Sequence, residues 1–207
     1  MKNRSIWLNE QSKNFQKINQ DIEVDVLIIG GGITGLSTLL ELQNSNLKTI
    51  LVERNTCGCG VTSRSTAKIT YLQEKILMNI RKSSVDEASK YLESQIYAMN
   101  RLKDIILNNN IHCDLKQISS YLFTNQEENI TKLNEEYDFL ILNHVKVEKA
   151  KLDIVDHLLA LKVDDTYTFH PLKYINYLKS MMSNVIYENS QVEKIDKHDE
   201  YYYTTIN

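Results

Sequence analysis

The chain has 207 residues, of which 42% are hydrophobic and 25% charged, with a formal net charge of −3. These are the proportions of an ordinary globular protein long enough to bury a core, and the mild acidity without a basic run argues against nucleic acid as a partner. No apolar run reaches the roughly 20 residues of a membrane span, the polar N-terminus lacks a signal peptide's apolar middle, and three cysteines do not make a disulfide framework, so a reducing, cytoplasmic setting is expected.

Residues 1–20 read as a polar lead-in with a few anchors, Ile6, Trp7 and Phe15. Val24–Ile29 is a short β-branched run and predicts a buried strand. From Ile33 to about Asn44 the apolar positions Ile33, Leu36, Leu39, Leu40 and Leu42 recur at helical spacing, and Asn46 falls where a left-handed C-terminal residue is expected. Thr49–Val52 predicts a second buried strand, which completes a strand–helix–strand unit of the length of a parallel crossover. A loop follows, "ERNTCGCGVTSRSTAKIT", and then a helix over 86–107, a strand over 115–123 and a helix over 127–142. Pro171, the only proline, suits the first turn of a helix over 171–182, and short strands are expected at 184–188, 191–196 and 201–206.

Four of the six glycines lie in "GGGITG", where Gly30, Gly32 and Gly35 match G-x-G-x-x-G between the first strand and the first helix. Glu53 ends the second strand, 18 residues after Gly35, close to the ~20 expected for an acid that binds a ribose diol. Gly30 permits the tight turn, Gly32 allows the main chain to approach a pyrophosphate, and Gly35 lets helix and strand pack closely. The helix N-terminus then offers free N–H groups and the positive end of its dipole to the phosphates. An acid at Glu53 disfavours NADP; FAD and NAD both remain open on this motif. The hydroxyl-rich stretch "GVTSRSTAKIT" at 60–70, with Arg64 and Lys68, reads equally as a ligand-binding loop or as an ordinary helix-capping loop.

Taken together, "DVLIIGGGITGLSTLLEL", "ILVER" and "GVTSRSTAKIT" resemble FAD-dependent oxidoreductases of the D-amino-acid oxidase/glycine oxidase superfamily, in the branch that often adds a C-terminal Rieske domain. "SIW", "IHCD" and "FHPLKY" are similar to the same branch. The resemblance implies FAD as cofactor, with Gly30, Gly32, Ile33, Thr34 and Gly35 on the pyrophosphate side, Glu53 at the adenosine ribose and Arg54 near the adenine end. It further implies Thr62, Ser63 and Thr66 toward the flavin, the backbone of Val192 at the adenine, and hydride transfer from a substrate C–H beside an amine. The chain departs from the family at Leu39, where a small residue is usual and a looser helix–sheet contact is expected. It departs again at Asn46, usually Gly, and at Tyr71, where the branch commonly has a histidine.

The expected fold is therefore α/β: an FAD/NAD(P)-binding Rossmann-like domain with an inserted, incomplete α+β substrate domain. The boundaries are a lead-in at 1–20, the first part of the FAD-binding domain at 21–82, a partial substrate domain at 83–165 and a return to the FAD-binding domain at 166–207. The expected function is FAD-dependent oxidation of a small-molecule amine or amino acid. Because the family continues past the third short strand and no Rieske ligand pattern is present, the chain is also read as truncated. The alternative is a non-catalytic remnant, or the nucleotide-binding half of a split enzyme with a downstream-encoded partner chain. No catalytic residue and no metal ligand is assigned. Cys57 and Cys59 read as solvated loop thiols, Glu127, Glu128, Glu135 and Glu136 as a solvated helix face, and Tyr201–Tyr203 as strand packing.

Overall fold

A computed structural model describes residues 5–9 and 14–207, so parts of the 1–20 lead-in lie outside the described residues. The elements, in chain order, are β1 (Val26–Ile29), α1 (Ile33–Leu42), β2 (Thr49–Val52), β3 (Lys68–Ile69), α2 (Glu74–Ser83), α3 (Val85–Asn108), β4 (Lys116–Thr124), α4 (Ile130–Leu142), β5 (Glu148–Lys149), β6 (Leu159–Thr168), α5 (Pro171–Met181), β7 (Ile186–Tyr187), β8 (Val192–His198) and β9 (Tyr201–Ile206). They divide into two compact units: 1–66, 111–113 and 170–207 form the first, and 67–110 with 114–169 the second.

The first unit is built on a parallel sheet in the order β1-β2-β7. Its central strand β2 is buried at all four positions, as a parallel strand covered on both faces must be, which is why "TILV" is apolar without alternation. Leu36 and Leu39 of α1 are buried, as are Leu172, Tyr174, Ile175 and Leu178 of α5. Leu39 is only 3% exposed, so the bulk that replaces a small residue is taken up in the core. A Cβ on Gly35 would run into the Gly30 carbonyl, which is the close helix–strand approach expected of that glycine. Pro171 lies in the first turn of α5, where its missing N–H costs nothing, and His170 Nδ1 accepts from Lys173 N at 3.3 Å as the cap. β8 and β9 form a separate antiparallel hairpin in the same unit.

The second unit is α+β. One edge of β6 pairs antiparallel with β4 along nearly its whole length; β3 and β5 pair with its two ends. Ser84 caps α3 by accepting from Glu87 N at 3.2 Å, and Asp86 and Glu87 place negative charge in the first turn. Asn110, at φ +51°, turns the chain just beyond the end of α3.

Several expectations are corrected. α1 ends at Leu42, earlier than Asn44, and Asn46 takes no left-handed turn; Ser45 Oγ closes the helix end by donating to the Leu42 carbonyl at 2.6 Å. Four elements, β3, α2, β5 and β6, arise where periodicity predicted none. Glu136 is 2% exposed rather than solvated, because the Arg81 guanidinium meets it at 2.8 Å from an element 55 residues away in sequence. Tyr201, Tyr202 and Tyr203 do form a strand but are about two-thirds exposed, since among the described residues the two-stranded hairpin covers them only with its own side chains, His198 edge-on to Tyr203 and Lys197 over Tyr202.

Candidate functional site

The carboxyl ends of β1 and β2 open into a cavity of about 260 Å³ lined by Ile29, Gly30, Val52, Glu53, Arg54, Ser190, Gln191 and Val192. Ligands of open α/β sheets bind at this end of the strands. Gly30 reaches it with φ +109°, a conformation that disfavours any residue with a Cβ, and nothing lies within 4 Å of where that Cβ would be. The space in front of the glycine turn is open.

Glu53 is held rigidly at the cavity wall. Its Oε2 accepts from Gly31 N at 2.8 Å and its Oε1 from Asn55 N at 2.9 Å, while its own N–H donates to the Tyr187 carbonyl at 2.9 Å. Each carboxylate oxygen keeps a lone pair in reserve, so the acid is oriented and still able to accept from a diol. Gly31, the glycine that the three-glycine pattern leaves unspecified, is crowded as well. A Cβ there would collide with Cys57 Sγ and come to 3.1 Å from Glu53 Cβ.

At the head of α1, Ile33 N donates to Thr62 Oγ1 at 3.1 Å, and Gly32 contributes no side-chain cap. The Thr62 hydroxyl thus satisfies one of the orphan N–H groups at the helix N-terminus and keeps its own proton to donate elsewhere. Ser63 is fully buried, and its hydroxyl donates to the Cys59 and Gly60 carbonyls at 3.1 and 3.0 Å, which braces the loop. Thr34 and Thr66 are exposed, as is Arg54. The fold therefore gathers Gly30, Glu53, Arg54 and Val192 around one cavity, and sets Gly32, Ile33 and Thr62 together at the helix N-terminus.

Sequence reasoning missed Glu188, Ser190 and Lys179. Glu188 is fully buried; its Oε1 accepts from Lys179 Nζ at 2.6 Å and from Cys57 N at 2.7 Å, and its Oε2 from Phe15 N at 2.9 Å. Cys57 is correspondingly not a solvated loop thiol. It is 5% exposed, and burial, reinforced by the Glu188 charge, pushes its pKa far above the usual thiol range. The "YENS" stretch offered one weak signal, an acid directly after a strand end.

A parallel sheet with an open glycine turn, a helix N-terminus and an oriented acid at its carboxyl edge defines a dinucleotide-binding α/β protein. The chain belongs to the DAO family of FAD dependent oxidoreductases, whose family model matches residues 25–205. It is 30% identical over 182 residues to YhfW of Bacillus subtilis (strain 168), described as a Rieske 2Fe-2S iron–sulfur protein; the match covers 86% of this chain and 35% of that protein. It is 24% identical over 143 residues to gamma-glutamylputrescine oxidoreductase of Escherichia coli (strain K12), covering 69% of this chain and 32% of the relative. The fold is similar to that of glycine oxidase from Geobacillus kaustophilus, with a TM-score of 0.69 at 16% identity, over 88% of this chain and 51% of the oxidase. The chain thus spans about a third of the length of these curated relatives.

FAD is the cofactor of the family, and the residues present fit its adenosine diphosphate half. The open Gly30 turn suits close phosphate approach, Glu53 offers lone pairs to a ribose, and Val192 lies in the cavity wall. Among the described residues no helix is long and apolar enough to cross a membrane, and no cluster of three or more His, Cys, Asp or Glu could hold a metal ion.

Proposed function

We propose that the first unit binds FAD by its adenosine diphosphate half and that the protein oxidises a small amine or amino acid. The observation that carries this reading is the cavity at the ends of β1 and β2, with Glu53 oriented by two backbone N–H groups beside the open Gly30 turn. Gly30, Gly32, Ile33, Thr34 and Gly35 would face the pyrophosphate, Glu53 the ribose, and Arg54 and Val192 the adenine. Thr62, Ser63 and Thr66 would lie on the flavin side, Thr62 as a hydroxyl donor and Ser63 as the brace that sets the loop. When bound, the flavin supplies an acceptor for a hydride from a substrate C–H. The chain's own part is to hold the phosphates on N–H groups and to keep the ribose acid aimed.

The glycine oxidase and gamma-glutamylputrescine oxidoreductase likenesses support an amine-bearing substrate. The likeness to YhfW supports a role for a Rieske domain or partner chain in passing electrons onward. The test has two stages. Calorimetric titration with FAD and with NAD is expected to show FAD preferred; tight NAD binding without FAD binding would overturn the cofactor assignment for this chain. Anaerobic mixing of the FAD-loaded protein and any downstream-encoded partner chain with glycine, D-amino acids and N-methylated amines is then expected to bleach the flavin. Bleaching by none of them, against bleaching by a hydroxy acid or a phosphorylated polyol, would overturn the substrate class.

A further inference from the structure

A carboxylate with no exposure forfeits hydration worth several kcal/mol, so the groups that replace the water identify what the charge is for. Glu188 has three such groups, and they come from three separate parts of the first unit. Lys179 Nζ, itself 2% exposed, comes from α5; Cys57 N comes from the loop after β2; Phe15 N comes from the lead-in. The Phe15 ring also lies 4.9 Å from Lys179 Nζ, which adds a cation–π contact to the ion pair.

From Glu188 two short routes lead to Glu53. One runs through Cys57: its Sγ fills the space that a Cβ on Gly31 would need, Gly58 N donates to the Gly31 carbonyl at 2.8 Å, and Gly31 N donates to Glu53 Oε2 at 2.8 Å. The other runs through Ser190, which lines the cavity. Its N–H donates to the Glu53 carbonyl at 2.9 Å, and its hydroxyl donates to the Glu188 carbonyl and accepts from Ile18 N, both at 3.0 Å. The segment 14–18 is therefore strapped to the cavity wall by Phe15, by Ile18, and by Gln16, whose carbonyl accepts from Glu188 N at 3.2 Å.

We infer that Glu188 is a positioning residue of the nucleotide site: it aims Glu53 through the Cys57–Gly31 contact and couples docking of the 14–18 strap to occupancy of the cavity. The inference rests on the reading of that cavity as a nucleotide site. Glu188 touches no ligand in this scheme. It supplies two acceptor oxygens to two backbone N–H groups and a charge to Lys179. Because binding and strap docking share it, each must favour the other by the same factor.

The probe is ADP, on the full chain. In the wild type, saturating ADP is expected to slow hydrogen exchange at the Phe15, Ile18 and Cys57 amides by about tenfold, the reciprocal of its effect on the site. Glu188→Gln keeps the shape but offers one acceptor in place of two, so one backbone N–H is orphaned; about tenfold weaker ADP binding is expected, equivalent to about 1.4 kcal/mol. The Gly31 amide proton, now in a looser bond to Glu53, should shift toward the value of an unbonded amide. Glu188→Gln with Lys179→Met removes the uncompensated charge and should restore stability to urea while ADP binding stays weak, a split that a merely structural role would not produce. Phe15→Ala, a milder change that survives if Glu188→Gln does not fold, should speed exchange at Ile18 and weaken ADP binding by about threefold through the same linkage.

If the wild type binds ADP but folded variants bind within twofold of it, the inference is overturned and the nucleotide site stands. Unchanged exchange at Phe15 and Ile18 on saturation overturns it equally. If the wild type binds no ADP, FAD or NAD, the reading of the cavity falls and the inference with it.

Discussion

Gly31→Ala tests whether the crowding behind the glycine turn is what the structure says it is. The new Cβ would meet Cys57 Sγ well inside van der Waals contact and would lie 3.1 Å from both Cys57 Cβ and Glu53 Cβ. Cys57 cannot swing clear, because it is 5% exposed and its N–H is held by Glu188 at 2.7 Å. Overpacking of this kind costs about 1–3 kcal/mol. Cys57→Ala alone removes one buried heavy atom and should cost about 1 kcal/mol. In the double variant the sulfur is gone but two Cβ atoms remain at 3.1 Å, close enough that a neighbour must still give, so Gly31→Ala should cost less without becoming free. The expected coupling is about 1–2 kcal/mol in favour of the pair, within the range for residues in contact. With two units in the chain a single unfolding midpoint is ambiguous. Native-state hydrogen exchange at the α1 and β2 amides reads the first unit directly. Gly35→Ala is the control: its Cβ would strike the Gly30 carbonyl, which is backbone, so Cys57→Ala should give it no relief. Additive effects of Gly31→Ala and Cys57→Ala would refute the contact and, with it, the Cys57 route from Glu188 to Glu53.

Glu53→Ala should weaken FAD binding by roughly 10- to 150-fold, the value of a hydrogen bond to a charged group, while Glu41→Ala, on an exposed position of α1, should leave it unchanged by calorimetry. A thiol reagent added to the native protein should modify Cys59, which is half-buried, well before Cys57 or Cys113, both buried and the former with its pKa pushed up; mass spectrometry of the labelled peptides reads the order. Burial raises the Glu136 carboxyl above the usual range despite the pull of Arg81, so the folded state holds that proton more tightly than the unfolded chain does. Its contribution is therefore largest below the unfolded pKa of about 4.3 and falls as pH rises through the raised folded value, so Glu136→Gln, which removes a term that opposes acid unfolding, should steepen the acid limb of second-unit stability. Arg81→Met, which strands the buried carboxylate, should cost about 3–5 kcal/mol at pH 7 and less near pH 4, by hydrogen exchange in α2 and α4.

What could be read along the chain is what short-range geometry dictates. The β1–α1–β2 unit, its glycine turn and its acid obey constraints between near neighbours: a positive φ at Gly30, a helix packed on Gly35, a register that pairs Val26 with Thr49 and Ile29 with Val52. β6 was hidden because Asp164 and Asp165 interrupt its alternation. Those acids are exposed, and Asp164 is held by Ser119 Oγ and by Lys162 at 3.0 Å, beside a register shift between Ile118 and Ser120 on β4. α2 was hidden because it is short and abuts α3 at Ser84, with Leu77 buried but Ile76 half exposed. The misread charges share one cause. Glu136 meets a partner 55 residues away, and Glu188 meets backbone N–H groups 131 and 173 residues away and a lysine nine residues away across an element boundary, so no periodic pattern distinguishes them from surface acids. A periodic pattern reports which face of an element is apolar; it carries no information about a counter-charge delivered from elsewhere. That asymmetry explains why the ligand-facing half of this site was legible and its support was not. A phosphate cradle is made of consecutive backbone, whereas the carboxylate beneath it is defined by Lys179, nine residues away on another element, and by two backbone N–H groups 131 and 173 residues away.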